Sequence, residues 1–134
     1  MSGKKVKKLY EDKSGSQTVD KSAISYDGKT IYITNYDEHQ LITLDNNGNK
    51  LALLTDPDMK KPTGVHVTPA GHVFVCCYDS GTVLQVDKDG EKKLATLARK
   101  EDGLYGPGDL FFSSSTSSLI VGGEKDTLLV IKIN

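Results

Sequence analysis

Short apolar runs alternate with polar turns along this chain, and two long segments repeat them in the same order. Residues 23–54 read AISYDGKTIYITNYDEHQLITLDNNGNKLALL, and residues 64–97 read GVHVTPAGHVFVCCYDSGTVLQVDKDGEKKLATL. Tyr36-Asp37 matches Tyr78-Asp79, Asp45 matches Asp87, and Gly48 matches Gly90, each pair 42 residues apart. In the first copy the runs at 24–26, 31–34, 41–44 and 51–54 predict four strands, here termed a to d. Asp27-Gly28 supplies a tight a–b turn, and Asn46-Asn47-Gly48 supplies a c–d turn that tolerates positive φ. In the second copy the runs fall at 65–67, 73–76, 83–86 and 94–97, with turns at Pro69-Ala70-Gly71 and Lys88-Asp89-Gly90. Runs such as VFV and LITL are apolar on both faces, as expected of sheets packed between neighbouring sheets.

A weaker third copy follows, with runs at 110–112, 119–121 and 128–133 and a serine-rich a–b turn at 113–118. Residues 4–10 resemble the d run of the second copy, since Lys7-Lys8-Leu9 parallels Lys92-Lys93-Leu94, so they are expected to form an isolated outer strand. A period of about 40–50 residues made of short strands is the mark of a β-propeller blade. The predicted fold is therefore all-β: a propeller segment of about three four-stranded blades, part of a six-bladed ring. The blades are expected at 20–62, 63–108 and 109–134, the last lacking its outer strand. Two arrangements fit: part of a longer propeller, which the sequence favours, or a homodimer in which two chains complete a six-bladed ring.

Composition narrows the function. Over 134 residues the 17 basic side chains are offset by 18 acidic ones, and the formal net charge of −1 creates no global attraction for phosphate or anionic lipid. No apolar run approaches the ~20 residues of a membrane span. Lys4, Lys5, Lys7 and Lys8 occupy the region where a signal sequence would be apolar. A soluble cytoplasmic protein is the expectation. Cys76 and Cys77 are neighbours on a strand, so they point to opposite faces and are expected as two buried thiols rather than a disulfide. No Cys-x-x-Cys motif occurs, and His39, His66 and His72 lack metal-ligand spacing, so no cofactor or metal is expected.

The runs DGKTIYITNYDEHQLITLDNNG, PTGVHVTPAGHVFVCCYDSGTVLQVDKDG and SSLIVGG resemble the C-terminal NHL-type propellers of invertebrate, especially molluscan, tripartite-motif (TRIM) proteins. The resemblance extends from about residue 20 to the end of the chain. It implies a substrate-recognition propeller of a ubiquitin ligase acting in protein turnover. The family's catalytic activity resides in a RING domain, whose zinc motif these residues do not carry. The chain itself is thus expected to be non-enzymatic.

In a propeller the b–c and d–a loops share one face, where a partner would bind. Here the b–c loops are Tyr36-Asp37-Glu38-His39, Tyr78-Asp79-Ser80-Gly81 and Glu124-Lys125-Asp126. The d–a loops, at 55–63 and 98–108, add Met59, Lys60, Lys61, Arg99, Lys100, Leu104 and Tyr105. Tyrosine and arginine on loops held by rigid strands are the types enriched at interface hot spots. Two roles are open to Tyr36 and Tyr78: plugging the gaps between sheets, or touching a partner. A protein target is preferred over RNA, because acidic residues intrude into the loops that phosphate binding would need to be positive. A third reading is a remnant of a calcium-dependent lactonase-like propeller, with Asn35, Asp37, Asp79 and Glu124 near the strand ends where a hard cation would bind.

Overall fold

The computed structural model describes residues 21–133. Among these residues eleven strands form three antiparallel sheets, each a meander in chain order. The first holds β1 (Ser22–Ile24), β2 (Thr30–Asn35), β3 (Gln40–Asp45) and β4 (Lys50–Leu54). The second holds β5 (Pro62–Val67), β6 (Val73–Cys77), β7 (Thr82–Val86) and β8 (Lys93–Ala98). The third holds β9 (Asp109–Ser113), β10 (Ser118–Gly122) and β11 (Leu128–Lys132). The predicted outer strand at 4–10 lies outside the described residues. Among those residues, no helix is long and apolar enough to cross a membrane.

The sheets stack face to face, with β5 lying against β1 and β2 on one side and β9 on the other. This is the arrangement of consecutive propeller blades, innermost strands side by side. Strand periodicity explains the two-sided burial of the middle sheet. Val73, Val75 and Cys77 of β6 meet Tyr32, Leu41 and Leu54 of the first sheet, joined by Leu84 and Val86. Their neighbours Phe74 and Cys76, with Val83, point the other way and meet Leu110, Leu119 and Val121 of the third sheet. Cys76 and Cys77 thus lie in different cores, both unpaired. Burial pushes the Cys76 thiol up to about 12 and that of Cys77 higher still, so both are inert hydrophobes at neutral pH.

Each sheet therefore has a forward face, turned toward the next sheet, and a backward face. Cross-strand registers place Ala23 opposite Tyr32, His66 opposite Phe74, and Phe111 opposite Ile120 on the three forward faces. Tyr32 and Phe74 are 2% and 0% exposed under the following sheet. The backward face of the first sheet carries a smaller apolar cluster of Ile33, Ile42 and Leu44 flanked by Ile31.

Strand positions agree with the sequence pattern except at three strand ends, two of them inner. Tyr26, expected on strand a, sits 70% exposed in the turn. Ser25 and Asp27 bind each other there, Oγ to Oδ1 at 2.6 Å, and Gly28 N–H donates to the Ser25 carbonyl at 2.9 Å, closing the chain before Tyr26 can pair. Conversely, β5 begins at Pro62, inside the expected d–a loop, with a register shift between Pro62 and Gly64. Residue 133 was expected on strand c, but β11 ends at Lys132.

Candidate functional site

The b–c and d–a loops come together on one rim because each d–a loop is hydrogen-bonded to neighbouring b–c loops. The 55–61 segment is anchored from within. Met59 is fully buried in the core between the first two sheets, and Asp56 accepts from the N–H groups of Asp58 (2.9 Å, through Oδ1) and Met59 (2.9 Å, through its carbonyl). Thr82 Oγ1 donates to the Asp58 carbonyl at 2.6 Å. From this anchor the backbone of Lys60 and Lys61 reaches both ways. Lys61 N–H donates to His39 Nδ1 at 2.9 Å, and the Lys61 and Lys60 carbonyls accept from Tyr78 and Asp79 N–H at 2.8 and 3.0 Å. Ser80 Oγ accepts from Lys60 N–H at 2.6 Å.

The 99–108 segment repeats the design. A short 3-10 turn at Lys100–Asp102 closes with Asp102 Oδ2 accepting from Arg99 N–H at 2.9 Å. Leu104 is fully buried between the second and third sheets. Tyr105 carbonyl accepts from Glu124 N–H at 2.7 Å, fastening this loop to the b–c loop of the third sheet. Gly81, at φ 63°, lies where a Cβ would strike the stem of Lys100, so the Lys100 side chain rests on the second b–c loop. Met59 and Leu104, expected among the exposed loop contributors, are core plugs instead. An apolar side chain on a long loop gains more by filling the gap between sheets than by facing water.

On this scaffold the polar and aromatic groups form a continuous ridge. Lys61 Nζ stands 5.2 Å from the centre of the Tyr36 ring, and Lys125 Nζ stands 4.8 Å from that of Tyr105. Between them the Glu124 carboxylate beside Tyr78 pushes that phenol above its ordinary value. Each contact joins two different loops of the rim. Four non-glycine residues on the rim sit in the left-handed region: His39 (φ 59°), Lys61 (58°), Lys125 (61°) and Asp126 (56°). Such conformations persist where surrounding contacts over-determine them. Asp37, Glu38 and Asp79 lie beside the ridge.

Arg99 does not join the ridge. Its guanidinium grips Asp58 with both terminal nitrogens, at 3.3 and 3.0 Å, while Lys93 Nζ lies 3.2 Å from Asp56 and 3.1 Å from Asp58. Arg99 first, then Lys93, hold the Asp58 carboxyl below the usual carboxylate range. The cluster clamps the 55–61 segment to β8. Sequence reading missed it because its members lie 35 to 41 residues apart. In the sequence Asp56 and Asp58 stand beside Lys60-Lys61 in the same loop, which reads as a local mixture of charges rather than a link to Lys93 and Arg99.

Of the residues considered for a cation, Asn35 Oδ1 accepts from Glu38 N–H at 3.1 Å and so caps the first b–c turn, while Glu124 lies beside Tyr78. Among the described residues, the group of three carboxylates close enough to hold a cation together is Asp87, Asp89 and Glu91, in the c–d turn on the opposite rim. Asp87 Oδ1 there accepts from Glu91 N–H at 2.8 Å, so it serves the turn itself.

Compared with known proteins, the chain matches no family model and none of the curated proteins. Solved structures do match. The chain is similar to Kuenenia stuttgartiensis hydrazine synthase, with TM-score 0.72 and 19% identity, over 91% of this chain and 36% of that one. It is also similar to a chain of a nidogen/laminin complex, with TM-score 0.65 and 22% identity, over 76% of this chain and 39% of that one. The chain thus spans well under half the length of either match. At these identities the likeness concerns the fold, a β-propeller segment.

Proposed function

We propose that the loop rim is a non-catalytic protein-recognition surface, acting in the cytoplasm as the target-binding module of a TRIM-type ubiquitin ligase. The observation that carries the reading is the ridge Tyr36–Lys61, Tyr78–Glu124 and Tyr105–Lys125, which presents three tyrosines on loops pinned to three sheets. Rigid aromatic side chains paired with charges lose little entropy on binding, which favours them as anchors. Positive Lys60, Lys61, Lys100 and Lys125 are interleaved with Asp37, Glu38, Asp79 and Glu124, a mixture suited to a mixed-charge protein surface rather than to a phosphate backbone. The ligase setting rests on the blade-level sequence resemblance alone. In that setting the rim would hold a target near a ligase-bound conjugating enzyme and raise its effective concentration.

The test is affinity capture from cell extract with the wild-type chain and with Tyr36→Ala/Tyr78→Ala. A discrete protein retained by the first and lost by the second supports the reading. Salt-dependent retention of single-stranded RNA, undiminished by the double substitution, would replace it with the RNA reading.

A further inference from the structure

The c–d turns of the first two sheets occupy the same place in the repeat but differ in charge. In the first, Asp45 is followed at alternate positions by Asn47 and Asn49, and Asn49 Nδ2 donates to Asp45 Oδ2 at 2.9 Å, so the turn closes on itself. In the second, Asp87, Asp89 and Glu91 take those three places. Their carboxylate oxygens lie within 4.8 Å of one another. Asp87 Oδ1 accepts from the N–H groups of Glu91 and Lys92, at 2.8 and 3.3 Å, which uses one oxygen of that carboxylate for the turn. An acid stands where the amide of Asn49 closes the first turn, so three like charges crowd together.

Acids alone would make only a solvated turn, but a second feature meets them from the neighbouring sheet. Thr43, opposite Tyr32 in register, belongs to the forward face of the first sheet and is fully buried. Among the described residues, its Oγ1 is the buried side-chain oxygen with no hydrogen-bond partner. The second c–d turn sits directly on it: a Cβ at position 90 would strike that oxygen, and Gly90, at φ 71°, lets the turn seat there. Tyr32 O–H donates to the Lys88 carbonyl and pins the same turn to the first sheet. Between the two sheets opens a cleft of about 220 Å³, lined by Thr30 and Thr43 on one side and by Lys88, Asp89 and Glu91 on the other. A buried oxygen without a partner costs stability, and beside carboxylates its lone pairs suit a hard cation. We propose that calcium binds at this junction, held by the carboxylates of Asp87, Asp89 and Glu91 and by Thr43 Oγ1, with water completing the roughly six to eight oxygens the ion takes. Oxygens up to about 5 Å apart fit one calcium shell, whose bonds are about 2.3–2.6 Å long. The ion neutralises the crowded turn and ties the second sheet to the first through ligands from both. The inference is independent of the binding role given to the loop rim.

Isothermal titration of the chelator-treated 134-residue chain with calcium chloride tests it, with far-UV circular dichroism confirming that each variant stays folded. One ion per chain is expected, with a rise in the thermal midpoint as calcium is added. Asp89→Asn and Glu91→Gln, both at exposed positions, should each weaken binding by about tenfold or more, since ligand charge sets the affinity of such sites. Thr43→Val should be at least as stable as the wild type without calcium, yet bind the ion several-fold more weakly and gain less from it on heating. Glu101→Gln, which removes an exposed charge elsewhere, should bind as the wild type does. No heat and no shift of the midpoint up to millimolar calcium would overturn the proposal. Binding that Asp89→Asn leaves unchanged would do the same, and so would full affinity in Thr43→Val, which would confine the ion to the turn.

Discussion

His39 shows how much local chemistry rests on one position of the repeat. It occupies the slot that Gly81 fills in the second copy, both in the left-handed region, yet His39 has a Cβ and accepts the Lys61 N–H. His39→Ala keeps the unfavourable conformation and loses the acceptor, so urea unfolding should show a loss of about 1–2 kcal/mol. His39→Gly relieves the backbone and should lose less. Thr43 is the reverse case. Among the described residues its Oγ1 is the buried side-chain oxygen without a hydrogen-bond partner, and it lies where Gly90 packs onto the first sheet. Thr43→Val replaces that oxygen with a methyl of similar volume on a strand, and should raise stability by about 1 kcal/mol. Tyr78 can be followed directly. Glu124→Gln should lower the phenol's midpoint toward its ordinary value in an absorbance titration, because the carboxylate that favours the neutral phenol is gone.

At the scale of the element, the 55–61 segment decides whether the rim is a surface or a set of independent loops. Its inner anchor is Met59, and Met59→Ala should cost about 2–5 kcal/mol in chemical denaturation while loosening the Tyr36–Lys61 contact. Its outer anchor is Asp58. Because the folded carboxyl is held below its ordinary 3.8, the ion cluster contributes stability above that pH and loses it as the pH falls through the lower folded value. With the carboxylate about one quarter exposed, the contribution is about 0.5–1 kcal/mol. Asp58→Asn should remove that amount at neutral pH and flatten the acid decline of the thermal midpoint below about pH 4. Neither anchor was legible in the sequence. A methionine among lysines reads as exposed loop, and an ion cluster that joins two loop acids to Lys93 and Arg99 beyond the next sheet's strands leaves no spacing to recognise. The b–c turns were legible, because Tyr36-Asp37 and Tyr78-Asp79 recur at equal spacing and turn chemistry is local.

For the whole molecule, alternating burial and repeated Gly turns made the blades readable before any coordinates. Residues 73–77 alone, apolar on both faces, require a sheet on each side. The stepwise seating of forward on backward faces was not readable, since it depends on which side of each strand the turns deliver to the neighbour. Nor did the pattern reveal that the third sheet leaves Phe111, Leu128 and Val130 open to water. Stacking of the three sheets gathers loops distant in sequence into one rim, and the proposed grip on a partner lies there rather than at the c–d turns. Installing a photoreactive benzoylphenylalanine at Tyr78, and separately at Tyr26, and irradiating the folded chain in cell extract tests this most directly. An adduct of one mass from position 78, absent from position 26 and abolished by Tyr36→Ala, is the expected result. Adducts equal at both positions, or confined to position 26, would contradict it.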